Sequence, residues 1–84
     1  MNFPIYRKYS TGSAFFEILS KEEFRELKII GSHFELHHIR AKILPERTYI
    51  EDLINNPAGN YVDSSRDEFY RQLKFCEEQR KRIG

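Results

Sequence analysis

Ser20-Lys21-Glu22-Glu23-Phe24-Arg25-Glu26-Leu27 is the stretch on which the architecture turns. A hydroxyl residue stands three positions before a glutamate, and two apolar residues follow at 24 and 27. In a helix, Ser20 would accept from an exposed N–H of the first turn, and Glu23 would reach back to the N–H of Ser20. Phe24 and Leu27 would form the inward stripe, with Lys21, Glu22, Arg25 and Glu26 outward. Gly31 falls where a left-handed residue closes a helix, a conformation glycine adopts without a Cβ penalty. This reading predicts a first helix opening at Ser20 and ending before Gly31.

The same spacing recurs at Thr48 with Glu51 and at Ser65 with Glu68. The three boundaries divide the 84 residues into strand-then-helix units. Ser20–Phe24 also echoes Ser65–Phe69, but the flanks do not match, which favours independent solutions to helix initiation over a duplication.

Upstream, Phe3 to Tyr9 alternates large and basic residues. An extended backbone places Phe3, Ile5, Arg7 and Tyr9 on one face and Tyr6 and Lys8 on the other. Ser10-Thr11-Gly12-Ser13 is a turn cluster. Ala14 to Leu19 reads as a second strand, rich in aromatic and β-branched residues, so the two runs predict a hairpin.

Downstream, Ser32 to Ile43 reads as the longest strand, but its alternation changes phase. Phe34 and Leu36 are even, whereas Ile39, Ala41 and Ile43 are odd. Either both faces are covered, or a β-bulge near His37-His38 resets the phase. The small number of expected helices favours the bulge. Pro45 ends the ladder. A second helix follows with Ile50, Leu53 and Ile54 as its stripe, starting either at Pro45 or at Thr48. Asn55 to Gly59 is a break, and Asn60–Val62 a short fourth strand.

The last helix opens at Ser65 and runs to about Arg82. Phe69, Leu73 and Cys76 form its buried stripe, with Tyr70 flanking. Glu77 with Lys81 and Glu78 with Arg82 stand at i, i+4 in the favourable order. Acids at the start and bases at the end (Arg80, Lys81, Arg82) suit the helix dipole.

The expected fold is therefore a single α+β domain over residues 1–84, in the order β-β-α-β-α-β-α. It has a small mixed or antiparallel sheet of three or four strands, with about three helices packed on one face. The expected core is Ile5, Phe16, Ile18, Phe24, Leu27, Phe34, Leu36, Ile43, Ile50, Leu53, Ile54, Phe69 and Leu73.

Composition narrows the function classes. A chain this short buries roughly 60–65% of its unfolded surface, which leaves little room for a deep active site. Fourteen basic against thirteen acidic residues give a formal charge of +1, counting against binding through phosphates alone. The single cysteine, Cys76, excludes an internal disulfide. With no hydrophobic leader after Met1 and no apolar span of about 20 residues, a cytoplasmic setting without membrane partners is expected.

Among chemistry-bearing groups, His33, Glu35 and His37 share a face of a regular strand. The two histidines would then stand about 13 Å apart, too far to share a metal. Cys76 lies at core spacing, where thiols are inert. The serines fit turns and caps, and the glycines form no phosphate loop. No catalytic, cofactor-binding or metal residue is assigned, and enzyme activity is not expected.

Tyr6-Arg7-Lys8-Tyr9 is the most suggestive surface feature. Aromatics interleaved with bases can stack on nucleobases and neutralise phosphates, and Arg40 and Lys42 are nearby candidates to add charge. A core-facing strand with basic stems lying over apolar surface reads the same residues without a ligand. The abundance of aromatics, seven Phe and five Tyr, instead favours a protein interface. The favoured expectation is a non-catalytic cytoplasmic interaction or accessory module, with an unidentified protein partner or a second copy. Weak single-stranded nucleic-acid binding through Tyr6–Tyr9 is the alternative.

Tyr6-Arg-Lys-Tyr-Ser10, Ile30-Gly-Ser32, Leu36-His37 and Ala41-Lys-Ile-Leu-Pro-Glu-Arg47 together resemble a set of small uncharacterised bacterial proteins. The resemblance spans about the first two-thirds of the chain. It implies a bacterial setting and carries over no activity and no site residue.

Overall fold

The chain from Ser20 to Leu27 is a hairpin, not a helix. The computed structural model describes the backbone of residues 2–83 and the side chains of residues 2–79. In it β2 (Ala14–Ser20) turns back through Lys21-Glu22 into β3 (Glu23–Ile30). The Ser20 hydroxyl accepts from the Glu22 N–H at 3.1 Å. That is a turn bond to the backbone two residues on, which competes with helix capping for the same serine. Glu23 sends its carboxylate across to His38 instead of back to Ser20.

Four consecutive strands result, since β1 (Ile5–Tyr9) precedes β2 and β4 (His33–Arg40) follows β3. α1 (Leu44–Asn55), β5 (Tyr61–Asp63) and α2 (Arg66–Ile83) complete the order β-β-β-β-α-β-α. The fold is α+β. Its five-stranded sheet, ordered β4-β3-β2-β1-β5, is antiparallel at every pairing. This corrects the expected three or four strands and three helices: the first helix is β3, leaving two.

The helices lie on opposite faces, correcting the one-sided layer. Ala14, Phe16, Ile18 and Phe24 pack with Ile50, Leu53 and Ile54 of α1. Phe15 and Leu27 pack with Phe69 and Leu73 of α2 on the other side. Phe24 and Leu27, three apart, therefore point to different faces, as a strand requires. Both are buried because both faces are covered.

Coverage on both sides also resolves the phase change in β4. Its register against β3 runs unbroken from Ile30↔His33 to Glu23↔Arg40, so no bulge occurs at His37-His38. Phe34 faces α2 and Ile39 faces α1. The bulge lies in β2 instead, where Leu19 is the extra residue between the Ile18↔Phe24 and Ser20↔Glu23 pairs. Gly31 is not a helix terminus. It holds the first central position of the two-residue β3–β4 turn, with φ 59°, while Ser32 keeps negative φ. That is the type II′ geometry that matches strand twist.

The helix boundaries follow local chemistry. α1 begins at Leu44 with Pro45 in its first turn, so Thr48 lies inside it. Glu46 accepts from the N–H groups of Lys42 (2.9 Å) and Ile43 (3.3 Å). Asn56 closes α1 in the left-handed conformation, φ 52°, its N–H donating to the Asp52 carbonyl at 2.8 Å. Its side-chain amide then makes two bonds with the Tyr61 backbone, starting β5.

Ser65 is a true N-cap: its hydroxyl accepts from the Glu68 N–H at 3.1 Å. The expected pairs Glu77–Lys81 and Glu78–Arg82, and the basic cluster at Arg80, Lys81 and Arg82, lie outside the described side chains.

Of the expected core, Leu36 and Ile43 are exposed, at 41% and 59%. Ile5, Phe34 and Leu73 are partly buried, and the other eight are buried. Cys76 is buried as its spacing predicts.

Candidate interaction surface

The tetrad Tyr6-Arg7-Lys8-Tyr9 forms most of β1, an interior strand between β2 and β5. Its side chains alternate between two covered faces. Toward α1, Arg7 donates from Nε to the Leu53 carbonyl at 3.1 Å and from Nη2 to the Ile54 carbonyl at 2.9 Å. It also pairs with Asp63 of β5. The last carbonyls of a helix have no partner within it, so a guanidinium from a distant strand satisfies them here. Tyr9 stacks on Tyr61 at 5.3 Å between centroids and meets the Phe16 ring edge-on at 5.7 Å.

Toward α2, Lys8 donates to Glu68 Oε2 at 2.7 Å, and Ser64 donates to the other oxygen of that carboxylate. These bonds hold the Glu68 carboxyl below its ordinary range. Tyr6 donates its hydroxyl to Glu17 Oε2 at 2.8 Å. Arg40 ends β4 at the edge of the sheet, three strand spacings or about 14 Å from β1, and Lys42 follows in the connection to α1; both are exposed. The six candidate residues thus divide among the two faces of interior strand β1 and the far edge of the sheet, and do not converge on one patch.

Glu17, which sequence reasoning passed over, is the chemical centre of the α2 face. It is 3% exposed. It accepts from Tyr6 and from Tyr70 (2.6 Å) on one oxygen and from Arg25 Nε (2.7 Å) on the other. Arg25 also donates to the Tyr70 hydroxyl at 2.7 Å and lies 5.6 Å from the Phe69 ring centre.

Burial alone would raise the Glu17 pKa, but the three donors and the Arg25 charge outweigh it and hold the carboxyl below its usual range. Burial and the bond to Glu17 push Tyr6 up to about 12. One signal existed in the sequence: a lone acid inside an apolar strand must find donors if it is buried. The four groups satisfy one another, and they fasten α2 to the sheet through β1, β2 and β3.

The histidines occupy β4. His37 Nε2 lies 3.1 Å from Glu35 Oε1, and His38 Nε2 lies 2.5 Å from Glu23 Oε2 on the opposite face. Among the described residues, no three His, Cys, Asp or Glu side chains are grouped to hold a metal ion. No described helix is long and apolar enough to cross a membrane.

β4 itself is the long edge of the sheet, eight residues with mostly exposed side chains. The Ala41 N–H continues its ladder by donating to the Glu22 carbonyl, so the odd-numbered residues of β4 bond toward β3. By the alternation of antiparallel pairs, the backbone groups of Leu36 and His38 point away from β3. Beside this edge runs a seam between β4 and α2, apolar in one part and mixed in the other. One hollow of about 350 Å³ is lined in part by Phe34, Phe75 and Cys76. A second of about 480 Å³ is lined by Phe34, Leu36 and Leu73 together with Glu35 and Glu77. Phe75 is 55% exposed. Burial, with the Glu77 charge adding, pushes the Cys76 thiol up, which keeps it protonated.

Compared with known proteins, the chain matches no family model, no curated protein and no solved structure.

Proposed function

We propose that this chain is a non-catalytic, cytoplasmic interaction module that accepts an extended protein segment along β4. The observation that carries the reading is the edge itself. Long edge strands are commonly blunted by proline, lysine, a bulge or a covering element. β4 has eight residues in unbroken register and contains no proline or lysine. A strand added there gains main-chain hydrogen bonds, and its side chains gain the seam lined by Leu36 and Leu73. The polar cluster around Glu17 fits a structural role, since its donors and acceptors are matched to one another. The nucleic-acid reading finds less support, because the Tyr6–Tyr9 side chains are engaged within the fold.

The test is capture from native extract by the wild-type chain and by a His38→Pro variant, with and without RNase. Proline at an outward-facing edge position removes a donor without breaking the internal ladder. Capture that survives RNase and is lost in the variant is expected. Capture abolished by RNase, or indifferent to the variant, overturns the reading.

A further inference from the structure

The order of side chains along β4 selects a particular partner. We propose that β4 pairs antiparallel with β4 of a second copy about a two-fold axis at Leu36, joining the two sheets into one. This rests on the edge reading above and names its occupant.

A two-fold axis normal to a sheet returns each face to the same side. Residues opposite each other must then share a face, so the axis passes through a single residue rather than between two. Near the middle of β4 the choices are Glu35, Leu36, His37 and His38. An axis at Glu35 sets that carboxylate against its own copy. An axis at His37 or His38 does the same with two imidazoles. Like charges directly opposite are destabilising, and opposite charges are favourable.

Only the axis at Leu36 avoids self-opposition of ionisable groups. It also sets Glu35 against His37 of the second copy, twice. Within one copy these two already meet at 3.1 Å, so the four side chains close into a ring in which carboxylates and imidazoles alternate. His37 also stands opposite Glu26 of β3 in its own sheet, which adds a second carboxylate beside it. On the other face the two Leu36 side chains, 41% exposed in one copy, cover each other beside the seam. The outward direction of the Leu36 backbone groups meets the same axis, because a two-fold through an outward-bonding residue forms a closed hydrogen-bonded pair.

The experiment is sedimentation equilibrium of the full chain over a concentration series in mildly acidic buffer. A concentration-dependent dimer is expected. Leu36→Lys, which opposes two ammonium groups across the axis, yields monomer. His37→Glu turns two opposite-charge pairs into like-charge pairs and weakens the dimer about tenfold. Adding Glu35→His to that variant restores it, which no other register and no unrelated partner strand predicts. Thermal melts confirm that each variant is folded.

As a variant independent of charge, Leu36→Cys forms a linked dimer under mild oxidation, whereas His33→Cys does not, since only the pivot residue meets itself. A wild-type chain that stays monomeric, with Leu36→Cys unlinked, overturns self-pairing. So does a dimer indifferent to Leu36→Lys. If such a monomer still shows capture that His38→Pro abolishes, the edge reading stands and only the second copy is excluded. If capture fails as well, both fall.

Discussion

Glu17 shows how much one buried charge decides at the residue scale. Removing one member of a buried ion pair leaves the other without compensation, at a cost of several kcal/mol when both are fully buried. Arg25 retains 24% of its side-chain exposure, so solvent offsets part of that cost. Glu17→Gln should therefore destabilise the fold by about 2–4 kcal/mol in urea titrations at neutral pH. Its pH dependence has a definite sign. The folded pKa of Glu17 lies below the ordinary value of 4.5. Its stabilisation is present above that ordinary value and is lost as pH falls through the lower folded value. The gap between wild type and Glu17→Gln should accordingly narrow along the acid limb. Tyr6 supplies the opposite limb. Its folded pKa of about 12 exceeds the ordinary 10.0, so its stabilisation is full below pH 10 and is lost as pH rises toward 12. Tyr6→Phe should lack that component of alkaline destabilisation, measured as a flatter stability curve between those values.

Elements that look alike in sequence separate once their partners are known. Ser20-Lys-Glu-Glu-Phe24 and Ser65-Arg-Asp-Glu-Phe69 carry the same spacing, yet the first is a hairpin turn and the second a helix start. Ser65→Ala removes a helix cap and should cost about 0.5–2 kcal/mol. Ser20→Ala removes an exposed turn bond and should fall within about 0.5 kcal/mol of wild type. Paired denaturant titrations compare the two directly, and equal losses would contradict the turn assignment. The difference was partly legible in the sequence. Ala14-Phe15-Phe16 is a continuous apolar run, not an alternating one, and continuous runs mark strands covered on both faces. With both faces covered, Phe24 and Leu27 need not share a stripe, and the helical spacing loses its force. The phase change in β4 carried the same message, since coverage on two sides explains it without a bulge. β1, β2, α1, β5 and α2 were readable because hairpin, break and cap chemistry agree locally. Long-range bonds were not: the Arg7 contacts with the Leu53 and Ile54 carbonyls span 46 and 47 positions, and no local pattern encodes them. The tetrad left two readings open for a related reason, because alternation fixes which residues share a face but not whether that face is covered.

At the scale of the whole molecule, two cores share one sheet. β2 contributes Phe16 and Ile18 to the α1 side and Phe15 to the α2 side, so each layer depends on a strand the other also needs. This arrangement should make unfolding cooperative while keeping the two sets of side chains physically apart. Residues in separate clusters, without shared partners, add their effects to within about 0.3–0.5 kcal/mol, whereas residues packed in one core couple. Ile18→Val deletes a methylene beneath α1, and Leu27→Val deletes one beneath α2; both residues are fully buried. Each should cost about 1 kcal/mol. The double variant should lose the sum, in a single urea transition with unchanged slope, because the same surface is still exposed in one step. A coupling well above 0.5 kcal/mol would mean that the two side chains share a core. A second transition would mean that one helix layer unfolds alone, and that β2 does not bind the two faces into one cooperative unit.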